Sequence, residues 1–273
     1  MPCLLMPDPN LKTPSIPPAN APAHQDAWAG LARFTNARIA RGRTGGSWRT
    51  ETLLEFRLAH ARARDAVGKA FAPDLVEADL RPAGYETLRL TTAVSQHAEF
   101  LKRADLGRQL STGSRKLLTE KANGWTNRQL AVVVSDGLSA QAAERQAAPT
   151  LIKLLPLLAE DGWKICPILI VPFARVKLQD EIGALLGVRH TLMLLGERPG
   201  LGSTDSLGAY FTYRPGPDRT DADRTCVSNI RPDGLPAGEA ALRLAHLLLQ
   251  SVKQGCSGIG LTEIEAPSQN RLE

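Results

Sequence analysis

A chain of 273 residues, 43% hydrophobic and 22% charged with a formal net charge of +5, is long enough to bury a core as one large domain or a domain with an appendage. Such a composition excludes a wholly disordered chain, and no apolar run approaches the roughly 20 residues that span a bilayer. Met1 to Met6 lack the basic region and apolar core of a signal peptide, so a cytoplasmic protein is expected. The four cysteines, Cys3, Cys166, Cys226 and Cys256, form no Cys-x-x-Cys pair, and none lies near a histidine at ligand spacing. A zinc site or disulfide framework is not expected.

Residues 1–25 read as an extended tail, because Met1 to Ala23 contains seven prolines and little periodicity. A helical N-terminal region is expected over residues 26–125. Within it Thr52 and Glu55 have capping-box spacing, ahead of a rough apolar stripe of Leu54, Leu58 and Ala61 with Phe56 and Ala63 beside it. Arg33, Arg38, Arg41, Arg43, Arg49, Arg57, Arg62 and Arg64 crowd the same region. Few aromatics accompany them and no zinc-finger or RNP pattern is present, so a partner-docking face or a solvated helix surface is favoured over nucleic acid.

The texture changes after residue 125, and an α/β domain is expected over 126–273. Gln129 to Ser135 is a continuous β-branched run suited to a strand buried on both faces, and Ser139 is placed to cap the helix that follows. That helix carries Pro149 and Pro156, which should kink or split it. Lys164 to Phe173 reads as the next strand, "LQDEIGALLG" as a helix and His190 to Leu195 as a strand. "AYFTY" and "CVSNI" add strands, and a long amphipathic helix stops at Gly255. The alternation predicts a Rossmann-like α/β fold, a mostly parallel sheet flanked by helices.

Ligands of open α/β sheets bind outside the carboxyl ends of the strands. Three loops should meet there: "SDGLSA", "FARVK" and "GERPGLG". The glycines of the last follow neither the dinucleotide fingerprint nor a phosphate loop. Glu197 is either a solvated residue of a glycine turn or a rigidly held acceptor for a polar ligand. Asp136 and Ser139 are read first as helix-capping groups, and Cys226 as core rather than nucleophile. The histidines His24, His60, His97, His190 and His246 lie apart, so no catalytic residue and no metal ligand is assigned. A ligand-binding subunit whose chemistry comes from a cofactor or partner is the reading these residues support, with a nucleotide-dependent enzyme and an arginine-rich nucleic-acid module as the competing classes.

Four stretches in order, Ala37 to Val67, Val133 to Ala140, Gly196 to Pro215 and Asp221 to Leu235, closely resemble the small subunit of ethanolamine ammonia-lyases. The resemblance covers nearly everything from Ala27 to Gly260. It implies an adenosylcobalamin-dependent carbon–nitrogen lyase that converts ethanolamine to acetaldehyde and ammonia, with a large subunit carrying most of the radical chemistry. It also implies cobalamin contacts at Val176, Glu197 and Cys226, and an assembly of six small with six large subunits. Residues 126–273 then become the cobalamin-binding domain, and residues 26–125 the part that docks the large subunit, with Arg38, Arg41 and Arg43 at the interface. The family is often tied to bacterial microcompartments. No histidine has an aspartate two residues before it, so the Asp-x-His-x-x-Gly motif is missing and dimethylbenzimidazole is expected to stay on cobalt.

Overall fold

The computed structural model describes residues 28–34, 37–44 and 46–262. The tail expected over residues 1–25 lies outside the described residues. The chain divides into two compact units at Phe56–Arg57.

In the first unit, β1 (Arg43–Thr44) pairs antiparallel with β2 (Ser47–Trp48), and α1 (Thr50–Gly68) begins. The expected capping box is not formed. Leu53 N–H already bonds Arg49 O at 3.0 Å, so the helix starts before Thr52, whose hydroxyl donates to Arg41 O at 3.3 Å instead. Glu55 pairs with Arg41. Nor is the expected stripe buried: Leu54 and Leu58 are 58% and 52% exposed, whereas Thr52, Ala59 and Ala66 are the buried positions of α1.

The second unit continues with α2 (Pro73–Leu80), β3 (Thr87–Arg89), α3 (His97–Lys102), α4 (Thr112–Ala122) and β4 (Leu130–Ser135). It is completed by α5 (Ala140–Glu160), β5 (Ile168–Ile170), α6 (Leu178–Leu186), β6 (His190–Gly196), β7 (Leu207–Tyr213), β8 (Arg224–Ile230) and α7 (Ala237–Gln254). Six strands form one sheet in the order β3-β5-β4-β6-β7-β8. Pairing is parallel from β3 to β6 and antiparallel for β6–β7 and β7–β8, so the α/β, mostly parallel fold expected above is the one observed. The strand expected over Lys164 to Phe173 is confined to Ile168–Ile170.

Alternating side chains divide the core between the two faces of the sheet. Val132, Val134, Leu192, Leu194, Ala209 and Phe211 pack with α2, α5 and α7. Val133, Leu169, Met193 and Leu195 pack with Leu118 of α4 and Leu178 and Ile182 of α6. Contrary to the expected split, α5 runs unbroken past Pro149 and Pro156. The carbonyls the prolines leave unbonded belong to Arg145 and Ile152, both exposed, so water can satisfy them while Leu151, Leu154, Leu155 and Leu158 stay buried on the inner side. Gly255, at φ 69°, ends α7 in the left-handed conformation that glycine adopts without strain. Among the described residues no helix is long and apolar enough to cross a membrane.

His190 opens β6 fully buried, with the rings of Trp163 and Tyr213 each 5.0 Å away. Ser251 gives its hydroxyl proton to Cys256 O at 2.6 Å, so it accepts from His190 Nε2–H at 3.0 Å. Nδ1 is left without a partner, and burial, with Arg189 beside the ring, holds the His190 pKa at about 3. Between about 3 and the ordinary 6.5, the unfolded chain binds a proton at this residue that the folded chain does not. Stability should therefore fall as pH drops through that window, by ~1.4 kcal/mol per unit from this residue. Urea unfolding of the wild type and His190→Gln at pH 7, 5.5 and 4.5 should show the wild type losing stability faster by that amount; parallel losses would refute it.

Candidate functional site

Three loops leave the carboxyl edge of the parallel strands, after β4, β5 and β6. Connections from β4 and β5 depart to opposite faces, through α5 and α6, so the crevice between these neighbours is where a doubly wound sheet commonly receives a ligand. Here the protein fills it. Asp136 Oδ1 accepts Phe173 N–H at 2.7 Å and the Ser135 hydroxyl at 3.0 Å, while Ser135 Oγ accepts Ala174 N–H at 3.1 Å. Burial pushes the Asp136 carboxyl up, against these hydrogen bonds. Ser139 caps α5 as the sequence suggests, accepting Ala142 N–H at 3.2 Å, and it donates to Thr204 O at 2.8 Å.

Gly137 and Gly196 bring the first and third loops into backbone contact. Leu138 N–H bonds Gly196 O at 3.0 Å, Gly137 has φ +52°, and a Cβ on Gly196 would collide with the carbonyl oxygens of Asp136 and Ser139. Only glycine fits both positions. The strand thus ends in glycine because another backbone lies against it, and Glu197 and Arg198 are the first residues free to project. Glu197 N–H bonds Ser206 O at 2.9 Å, closing the loop as a hairpin.

A cavity of about 570 Å³ lies beyond the α4–α6 layer, lined by Arg108, Val176, Tyr210, Arg224 and Cys226 among others. Its position follows from the sheet. Tyr210 and Cys226 are register partners on β7 and β8, and Tyr210 packs with the core on the α4–α6 side while Ala209, Phe211 and Val227 pack on the other. Val176 enters from the loop after β5. The structure therefore brings Val176 and Cys226 to one cavity. Glu197 is not among its lining residues but stands behind Tyr210: Glu197 Oε1 and the Tyr210 hydroxyl both come within 3.0 Å of the point where a Gly208 Cβ would sit. Its other oxygen accepts from the Ser206 hydroxyl and, at 3.4 Å, from Asn229 N–H. Phe173 beside Asp136 holds a positive φ of 59°, unusual for a bulky residue, whereas Asn229 at 60° is in a conformation asparagine adopts readily.

Cys226, expected in the core, is instead exposed, because its side chain leaves the face of β8 opposite buried Val227; partial burial still pushes its thiol up, a hydrogen bond from Tyr210 opposing the shift. The Tyr210 phenol is raised as well, first by burial and then by the negative charges Cys226 and Glu197 would carry. Neither is a nucleophile or a base at neutral pH. Both suit contact with a ligand rather than reaction with it.

The wall opposite is cationic. Arg224 forms an ion pair with Asp180 of α6 in which the two side chains are 3% and 2% exposed. It also reaches Asp221 at 2.6 Å, and Lys177 lies 3.7 Å from Asp180. Arg219 bonds Asp223 at 3.3 Å. Sequence reasoning missed Arg108, Arg175, Lys177, Tyr210 and Arg224. "FARVK" and "DRTCV" do place three of these cations next to Val176 and Cys226, which was a usable signal, whereas nothing in the sequence marks Arg108. Among the described residues no group of three or more His, Cys, Asp or Glu side chains could hold a metal ion.

A family model described as ethanolamine ammonia-lyase light chain matches residues 25–262. The chain is 45% identical over 247 residues to a protein of Azotobacter vinelandii named ethanolamine ammonia-lyase small subunit, covering 89% of this chain and 90% of that one. Proteins of the same name from Xanthomonas campestris and Ralstonia nicotianae are 44% identical over 255 residues and 45% over 240. They cover 93% and 88% of this chain and 91% and 89% of their own lengths.

The backbone contact at Gly196 yields a stability test. Gly196→Ala should cost about 3 kcal/mol or more, because carbonyls of a helix-capping loop cannot move aside. Gly200→Ala, whose Cβ would meet nothing nearer than Ser203 O at 3.8 Å, should stay within ~0.5 kcal/mol of wild type. Urea unfolding of both variants measures the contrast, and equal midpoints would contradict it.

Proposed function

We propose, from the premise that the chain belongs to the ethanolamine ammonia-lyase light-chain family, that it is the small subunit of an adenosylcobalamin-dependent enzyme. With a large subunit it converts ethanolamine to acetaldehyde and ammonia. The observation that carries the cofactor part is the cavity at which Val176 and Cys226 meet, with Glu197 behind Tyr210.

The donor set fits such a group. At about 570 Å³ the cavity matches a drug-sized ligand. A corrinoid is far larger, so the cavity would take one portion of it and leave the rest to lie against another chain. Val176 and Cys226 offer small contact surfaces, and Glu197 and the Tyr210 hydroxyl offer an acceptor and a polar tip for amide or hydroxyl donors. When bound, adenosylcobalamin supplies the radical chemistry, while this chain's residues hold and orient the cofactor and exclude water. That division of labour accounts for a site without an acid, base or nucleophile poised for neutral pH.

The partner reading rests on the first unit. Arg38, Arg41, Gly42, Arg43 and Trp48 line a recess of about 330 Å³, and Trp28, Phe34, Trp48 and Leu54 expose more than half of their surface. Aromatic and arginine side chains together are what protein interfaces favour. Residues 26–125 are proposed as the docking part and 126–273 as the cobalamin-binding part, in an assembly of six small and six large subunits.

Acetaldehyde release from ethanolamine should appear only when this chain, the large subunit and adenosylcobalamin are combined, and Glu197→Gln should weaken cobalamin retention by the complex. A complex that forms yet releases no acetaldehyde would overturn the activity. Replacing Arg38, Arg41 and Arg43 together by glutamate should shift the chain from the complex to the free fraction on gel filtration. An unchanged elution profile would remove these arginines from the interface.

A further inference from the structure

The cations around the cavity fall into two sets. Lys177, Arg219 and Arg224 are committed to partners within the protein: Lys177 to Asp180 and to the carbonyls of Pro217 and Arg219, Arg219 to Asp223, and Arg224 to Asp180 and Asp221. Arg175 is different. Its guanidinium carbon lies 4.0 Å from the centre of the Phe100 ring, and one Nη donates to Phe100 O at 2.9 Å. Its Nε is buried and has no hydrogen-bond partner. Burial lowers its pKa, and Arg108 and then Arg198 oppose its charge further. The one carboxylate that favours it, Asp136, already binds Phe173 N–H and the Ser135 hydroxyl through Oδ1. Arg108 and Arg175 thus line the same cavity, the Arg175 Nε–H has no acceptor, and among the described residues neither arginine is in an ion pair with a carboxylate, Asp136 acting on Arg175 only through space.

Like charges gathered in a partly buried place are stable when an anion sits among them. Planar guanidiniums suit an anion with two equivalent oxygens. We infer that Arg175, with Arg108 on the same cavity wall, binds the phosphodiester of the cofactor's nucleotide arm. This rests on the corrinoid reading above. The choice of group follows from chemistry: the amide side chains of a corrin are neutral and need no cationic cluster, whereas the phosphodiester carries one negative charge at any working pH.

Equilibrium dialysis of the complex with the large subunit, against cobalamin, cobinamide phosphate and cobinamide, isolates the phosphate. The wild type should bind both phosphate-bearing corrinoids about ten- to hundredfold more tightly than cobinamide. Arg175→Gln and Arg108→Gln should shrink that preference while leaving cobinamide affinity unchanged. Arg108 is exposed, so its variant tests the idea even where Arg175→Gln disturbs packing on Phe100. Rising ionic strength should erode the preference in parallel.

A wild type that binds all three corrinoids equally overturns this inference and leaves the cofactor reading intact. Binding of none of them overturns both. Variants that weaken all three alike, or that release the large subunit instead, also overturn it, the second because the arginines then hold a carboxylate of the partner. Retention of inorganic phosphate without any preference for cobinamide phosphate over cobinamide overturns it too, since the cluster then serves free anions.

Discussion

The Arg224–Asp180 ion pair sets the geometry on which the cavity depends. Asp180 lies four residues beyond Val176, and Arg224 two residues before Cys226, so their contact fixes how far the loop after β5 stands from the last strand of the sheet. Burying both charges is costly, and the pair is not optimised for stability, because Asp180 Oδ1 and Arg224 Nε remain without hydrogen-bond partners. An apolar pair of similar volume would hold α6 and β8 together about as strongly. What the ion pair adds is direction, since a guanidinium meets a carboxylate in few orientations. Asp221 and Lys177 then anchor the same two groups from the loop and helix on either side.

The protein's use of its own carboxyl edge explains where the cavity lies. In a doubly wound sheet the diverging connections of β4 and β5 leave a crevice, and here Asp136, Ser135 and Phe173 close it with their hydrogen bonds. The glycine contact between Gly137 and Gly196 locks the next loop against it. With that edge sealed, open surface remains farther across, where β7 and β8 extend the sheet past α6. Their antiparallel pairing matters for chemistry. It places Tyr210 and Cys226 side by side on one face, and the hairpin between β6 and β7 delivers Glu197 and Arg198 to the same neighbourhood.

Much of this was legible in the residues. A continuous β-branched run marked β4, the apolar run His190 to Leu195 marked β6, the amphipathic period and Gly255 marked α7, and Ser139 marked the start of α5. Local patterns failed where tertiary contacts outweighed them. Pro149 and Pro156 read as breaks because their effect on the backbone is local, whereas the apolar side of α5, buried over some five turns, is not visible to a rule about single residues. Thr52 and Glu55 matched a cap by spacing alone, yet each is engaged by Arg41 from outside the helix. Val176 was reached only through resemblance, since a small apolar residue has no chemistry to betray it, and Cys226, weighed as core or nucleophile, gained a ligand-contact role the same way. Arg175 and Arg108 were missed for another reason: 67 positions separate them, and only the fold brings them to one cavity.

The same sorting of charge bears on what the site can do. Reactive groups in enzymes are commonly shifted toward neutral pH, but here burial moves Tyr210, Cys226 and Cys166 away from it, the last to about 11. Of the buried carboxylates, Asp136 is occupied by backbone and hydroxyl donors and Asp180 by Arg224. On the proposed reading, a chain arranged in this way would hold a ligand by shape and by the charge of Arg175 and Arg108 rather than react with it. On that reading reaction would begin on the ligand itself or on groups brought by another chain, for which the exposed aromatics and arginines of the first unit offer a surface.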